Sequence, residues 1–195
     1  MEEFLADLRD WLRIPSVSSD PNAAAEVRRG AEFCAGLLEK AGLDNVRLVE
    51  GPGHPLVVGD WLHAEGKPTL LCYGHYDVQP AEPLELWRTP PFEPTLIGGN
   101  LYARGAADDK GQVFMHFKAV EAHIKQSGRL PVNMKFLIEG EEEVGSTNLA
   151  DFIRARRSEL RRQRWIIKSN ELQLRAARSL ANPQLSFISS YQLNG

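Results

Sequence analysis

Apolar residues Phe4, Leu5, Leu8, Trp11 and Leu12 recur at three- and four-residue spacing, which predicts an amphipathic helix at the start of the chain. The stretch IPSVSSDP stops it with two prolines and a serine cluster. From about Ala23 to Ala41, the residues Val27, Ala31, Cys34, Leu38 and Ala41 fall on one side of a second helix, which Gly42 is suited to close. NVRLVE and HPLVVGDWL read as short strands. In KPTLLCYGHYD the residues Thr69 to Tyr73 form a more continuous apolar run, as expected of an interior strand, and the run ends at Gly74. The segment from Val78 to Gly99 is rich in proline and lacks periodicity. It predicts a long loop, which in a compact domain usually carries function. Val113, Phe114, Phe117, Val120 and Ile124 predict a helix from Lys110 to Lys125, and PVNMKFLIEG reads as another buried strand. EGEEEVGSTNLADFI is an acidic turn entering a helix that Ser146 or Thr147 can cap, and RWIIKS is one more strand. Strands alternating with helices predict an α/β layer fold with a mostly parallel sheet.

Composition narrows the functional classes. The chain has 195 residues, 43% hydrophobic and 25% charged, the profile of a globular domain with a sizeable core. A formal net charge of -3 argues against general nucleic-acid binding, which calls for a basic excess. No stretch approaches the apolar length of a membrane span, and MEEFLADLRDWLRIPS lacks the basic and apolar regions of a leader. A cytoplasmic protein without a membrane partner is expected. Cys34 and Cys72 stand alone, which suggests neither a disulfide framework nor a thiolate zinc site; both read as core residues. The basic run from Arg154 to Arg164 has no interleaved aromatics and reads as a solvated helix face. His54, His63, His116 and His123 read as solvent-facing or half-buried.

The chemistry concentrates where predicted strands end. In α/β sheets, ligands gather beyond the carboxyl ends of the strands. His75 with Asp77, and Glu142 with Glu143, follow strand ends, while Asp108 precedes a helix N-terminus, so these groups can converge on one rim. An imidazole with several carboxylates and no thiolate suits zinc, manganese or cobalt(II). Two such ions, roughly 3.5–4 Å apart, polarise a carbonyl and lower the pKa of a shared water, the chemistry of amide hydrolysis. Asp77 lies two residues beyond His75 and projects to the same side in extended structure, which places it to orient the imidazole rather than to bind metal. Each stretch alone has an ordinary reading: a strand-end histidine, a capped helix start in AADDKG, a solvated acidic turn in EGEEE. Their order and spacing set them apart.

GHYDVQP, then LYARGAADDKG with 33 residues from His75 to Asp108, then LIEGEEEVGS with 34 residues from Asp108 to Glu142, resembles the M20 family of dinuclear zinc peptidases and deacylases. LRDWLRIPSVS and LWRTPPFEP are similar to its dipeptidase branch of carnosinases and cytosolic nonspecific dipeptidases. The resemblance covers roughly residues 1–155 and implies a three-layer catalytic domain, its central sheet flanked by helices. It implies that His75 binds one zinc, Glu143 binds the other, Asp108 bridges both, Asp77 supports His75 and Glu142 is the general base. Two Zn2+ ions are expected in the complete enzyme, with Mn2+ or Co2+ as substitutes, and the substrate would be a dipeptide or short peptide cleaved by zinc-activated water. The family allows a homodimer of the complete enzyme. Glu141 takes a place where the family tolerates apolar residues and is expected to be an exposed neighbour.

After Leu160 the resemblance fades. The family commonly supplies an acidic zinc ligand as Ser-Asp after a short strand, where WIIKSNEL has Ser169, Asn170 and Glu171. A carboxamide is a poor zinc ligand, and Glu171 would face the other way in an unbroken strand but would come round at a bulge or a strand end, so the sequence leaves open which of the two replaces the usual acid. The resemblance therefore implies the N-terminal part of a catalytic domain over residues 1–195, divergent over 156–195, without the lid domain, the late histidine or the rest of the catalytic domain. The alternatives are a deacylase of N-acyl amino acids and a non-catalytic fragment with a partial metal site.

Overall fold

The computed structural model describes residues 2–155 and 165–167. Helix α1 (Glu2–Leu12) buries Leu5, Leu8, Trp11 and Leu12, the residues whose spacing predicts it. Helix α2 (Ala24–Lys40) buries Val27, Ala31, Cys34 and Leu38, and Gly42 follows it at φ 89°, a backbone conformation that glycine adopts without penalty. Strands β1 (Asp44–Val49), β2 (Leu56–Trp61) and β3 (Thr69–His75) come next. Helix α3 (Lys110–Ser127), after a hairpin described below, leads to β6 (Asn133–Glu139), α4 (Thr147–Ala155) and β7 (Trp165–Ile167).

The five-stranded sheet has the order β1-β2-β6-β3-β7. Pairings β6 with β3 and β3 with β7 are parallel, whereas β1 with β2 and β2 with β6 are antiparallel, so the sheet is mixed. The short connection from Val49 to Leu56 accounts for the antiparallel end, since parallel neighbours need a long crossover. Helix α3 provides such a crossover between β3 and β6. Side-chain alternation divides the sheet residues between two layers. Val57, Phe136 and Ile138 join α1, α2 and α3 in the main core, where Trp11, Phe117 and Phe136 meet ring to ring. Leu56, Val58 and Leu137 face the other way and pack with Leu149 and Phe152 of α4. The layers are thus helix, sheet, helix. Cys34 is buried and Cys72 half-buried, and both are free thiols. Among the described residues, no helix is long and apolar enough to cross a membrane.

Two local expectations are corrected. The segment from Val78 to Gly99 is not loop throughout: β4 (Thr95–Ile97) and β5 (Asn100–Tyr102) form a hairpin around Gly98 and Gly99, whose φ values of 59° and 85° fit a two-residue turn. The Gly-Gly pair between TLI and NLY was the signal. At α4, neither Ser146 nor Thr147 is seen to cap with its hydroxyl. The cap comes from Glu141, which accepts the Asn148 N–H at 3.1 Å and also the His54 N–H at 3.0 Å. Glu141 is accordingly a half-buried tie between two loops rather than an exposed neighbour.

Candidate metal centre

Parallel pairing of β3 and β6 sets His75 opposite Glu139, so both strands release the chain at the same rim. His75 is 6% exposed. Alternation sends Tyr76 to the other side, where it is fully buried and its hydroxyl donates to the Pro55 carbonyl at 2.7 Å. Asp77 returns to the side of His75. The imidazole Nδ1 lies 3.1 Å from the Asp77 backbone oxygen and 3.3 Å from its Oδ1, which fixes the ring and turns Nε2 towards the rim. Nε2 there meets Asp108 Oδ1 at 3.0 Å, with Glu142 Oε2 at 4.0 Å.

The buried Asp77 carboxylate also organises the acidic turn. It accepts the Ser18 hydroxyl at 2.6 Å and the backbone N–H groups of Glu142 at 3.3 Å and Glu143 at 3.2 Å. These two residues begin a short 3-10 turn (Glu142–Val144), and holding their amides presents both side chains at the rim. Glu143 Oε2 accepts the Gln79 amide at 2.5 Å. One donor atom from each of His75, Glu142 and Glu143 lies within 4.8 Å of the others. Asp108 joins this group through His75. The set is one imidazole nitrogen and several carboxylate oxygens, partly open at the rim, and this chemistry fits zinc, manganese or cobalt(II).

Electrostatics favour positive charge here. Burial alone would depress His75, but hydrogen bonds to Asp108 and Asp77 and the nearby Asp109 charge outweigh it and raise its pKa to about 11. The hydrogen bond to His75 in turn holds the Asp108 carboxyl below its ordinary range, against the effect of burial. Burial raises Glu143, with the Gln79 amide opposing. The carboxylates that keep a proton on His75 would hold a divalent ion in its place.

Behind Asp108, two residues fix the loop. Asp109 accepts the His75 N–H at 3.2 Å through Oδ2. That approach requires Gly74, since a Cβ there would meet the same oxygen at 2.6 Å. Burial pushes the Asp109 pKa up to about 6, against the pull of His75. Lys110 is fully buried and donates from Nζ to the carbonyls of Ile14 at 2.7 Å and Trp11 at 3.1 Å. Trp11 lies in the last turn of α1 and Ile14 just beyond it, and their carbonyls also accept the N–H groups of Ile14 at 3.2 Å and Ser16 at 2.9 Å, so Lys110 ties the end of α1 to the start of α3. Burial lowers the Lys110 pKa to about 7, opposed mainly by the Asp77 charge.

All five residues singled out from the sequence, His75, Asp77, Asp108, Glu142 and Glu143, thus meet at one rim. Sequence reasoning passed over Ser18, Gln79, Asp109 and Lys110. Gln79, Asp109 and Lys110 sit inside the quoted motifs, and Ser18 closes LRDWLRIPSVS, far upstream of the rim residues, in a serine cluster that locally reads as a helix breaker. Asn170 and Glu171 lie outside the described residues, as does most of the basic run after Arg154.

Comparison with known proteins points to one family. The pattern of the family described as peptidase family M20/M25/M40 matches residues 71–176. Cys-Gly metallodipeptidase dug1 of Schizosaccharomyces pombe is 37% identical over 164 residues, covering 79% of this chain and 34% of its own length. Human Beta-Ala-His dipeptidase is 35% identical, with 78% and 32% covered. Among solved structures, human carnosine dipeptidase 1 superposes with a TM-score of 0.74 at 35% identity, covering 80% of this chain and 35% of that one. Dipeptidase Dug1p of Saccharomyces cerevisiae superposes with a TM-score of 0.72 at 32% identity, with 79% and 35% covered. The chain spans about a third of the length of these relatives. The family pattern, which matches more than half of the chain, and relatives more than 30% identical over most of it show that the chain belongs to peptidase family M20/M25/M40.

Proposed function

We propose that this chain carries the metal-holding rim of a hydrolase that cleaves the peptide bond of dipeptides or short peptides. The observation that carries the reading is the meeting of His75, Glu142 and Glu143 donor atoms within 4.8 Å, with Asp108 against His75 Nε2. His75 would hold one zinc ion, Glu143 the second, and Asp108 both, with Mn2+ or Co2+ as substitutes. Bound there, such ions polarise the scissile carbonyl and bring the pKa of water towards neutrality. Asp77 keeps the His75 ring in one orientation through Nδ1, and Gln79 steadies Glu143. Glu142 has no side-chain hydrogen bond among the described residues, and its carboxylate is 45% exposed, which leaves it free to take a proton from the attacking water and return it to the leaving amine. The relatives' names, Cys-Gly and Beta-Ala-His, support a dipeptide as the substrate.

The test pairs two measurements. Zinc or cobalt titration of the 195-residue chain reads the site. Hydrolysis of Cys-Gly and β-Ala-His against N-acetyl amino acids, by the chain extended to the length of its relatives, reads the reaction. Metal binding with dipeptide cleavage supports the proposal; preferential cleavage of the N-acetyl compounds would move it to the deacylases.

A further inference from the structure

The acidic turn is gripped at both ends, and only one grip belongs to the site described above. Asp77 holds the amides of Glu142 and Glu143. At the far end the chain passes Gly145 at φ 103° and Ser146 at φ 55°, and the Ser146 hydroxyl donates to Glu139 Oε1 at 3.0 Å. The Tyr73 hydroxyl donates to the same oxygen. Glu139 ends β6 and is fully buried, and its second oxygen, Oε2, is buried with no partner among the described residues. Burying a carboxyl with one oxygen unsatisfied is unfavourable for stability, and in native proteins such a group calls for a reason. Its two hydroxyl partners supply one. Tyr73 lies two residues before His75 on the same face of β3, and Ser146 closes the turn that carries Glu142 and Glu143. Ser146 N–H also donates to the Glu141 carbonyl at 2.8 Å and Gly145 N–H to the Glu142 carbonyl at 3.2 Å, so displacing Ser146 displaces the whole turn.

We propose that Glu139 is a positioning residue: by accepting from Ser146 and Tyr73 it sets the place of the turn from which Glu142 and Glu143 reach the rim. The inference rests on the metal-site reading for its purpose. Its structural claim concerns the metal-free chain and can be tested there. Backbone amide exchange of the metal-free chain is measured by NMR for wild type, Ser146→Ala, Glu139→Leu and Glu139→Gln, together with cobalt(II) affinity from optical titration. Ser146→Ala removes one hydroxyl and nothing else, which guards against a Glu139→Leu that fails to fold.

The expected result is exchange about tenfold faster at the amides of Glu142 and Glu143 in Ser146→Ala and Glu139→Leu, the scale of one lost hydrogen bond to a charged group. Exchange at Phe136–Ile138 should stay unchanged. Glu139→Gln keeps an oxygen for both hydroxyls and should restore slow exchange. Cobalt affinity should fall about tenfold with the first two variants and recover in the third. Unchanged exchange at Glu142 and Glu143, or an equal rise at Phe136–Ile138, overturns the proposal. If wild type fails to bind cobalt, the metal-site reading falls, while the exchange pattern still decides whether Glu139 sets the turn.

Discussion

Asp77 Oδ2 accepts the backbone N–H of Glu143 at 3.2 Å, across 66 residues of chain. The same carboxylate lies 3.3 Å from His75 Nδ1 and takes the Ser18 hydroxyl at 2.6 Å, so one buried group fixes an imidazole from β3 and the turn after β6 together. Asp77→Ala removes a shared anchor. It should lower zinc affinity about 10–100-fold through the freed imidazole, while Asp108→Ala should lower it further. Calorimetry on both variants checks the ranking, and the reverse order would contradict the roles assigned.

Glu142 and Glu143 are neighbours with the same chemistry and different proposed tasks. Glu143→Gln should lose metal, because a carboxamide is a weaker ligand. Glu142→Gln should keep metal content and lose dipeptide turnover by at least about 100-fold, the lower end of a general base's contribution. Metal content is read on the 195-residue chain and turnover on the chain extended to the length of its relatives. Retained turnover in Glu142→Gln would rule out the proton-transfer role.

The pH dependence of metal binding follows from His75. Its pKa, raised to about 11 by Asp108, Asp77 and Asp109 against the effect of burial, leaves the ring protonated at neutral pH in the metal-free chain. A metal must displace that proton. Affinity should therefore rise with pH, about tenfold per unit between pH 6.5 and 8, and calorimetry in buffers of different ionisation heat should show about one proton released. His75→Ala should flatten that slope. A wild-type affinity independent of pH across this window would show that the ring is already neutral.

Glu141 gives a prediction without metal. Its carboxylate serves the N–H groups of His54 and Asn148, so Glu141→Ala should destabilise the fold by roughly 1–3 kcal/mol in urea unfolding. Zinc affinity should stay within about threefold, since the turn is held separately by Asp77. A large loss of affinity with no loss of stability would place Glu141 among the ligands.

Helical periodicity made α1, α2 and α3 legible because each buries one stripe, as Leu5, Leu8, Trp11 and Leu12 illustrate. Strand-end motifs made His75, Asp77, Asp108, Glu142 and Glu143 legible as candidates for one rim. Contacts made by single polar side chains over long separations were not legible. The Ser18 hydroxyl reaches Asp77 across 59 residues, and Lys110 reaches Ile14 across 96, and no local pattern announces either. Glu141 was misread for a related reason: its residue type is ordinary in an acidic turn, and only the closeness of the His54 loop turns it into a cap. The mixed sheet follows from connection length, which a reading of alternating elements passes over.

Every role proposed above for His75, Asp108, Glu142 and Glu143 depends on a divalent metal being held at the rim they form. Isothermal calorimetry with zinc, on the metal-free 195-residue chain and on the double variant His75→Ala, Asp108→Ala, tests it most directly. Saturable binding in wild type that is lost in the double variant, with circular dichroism showing the double variant folded, is the predicted result. The same binding heat in both chains would contradict the assignment.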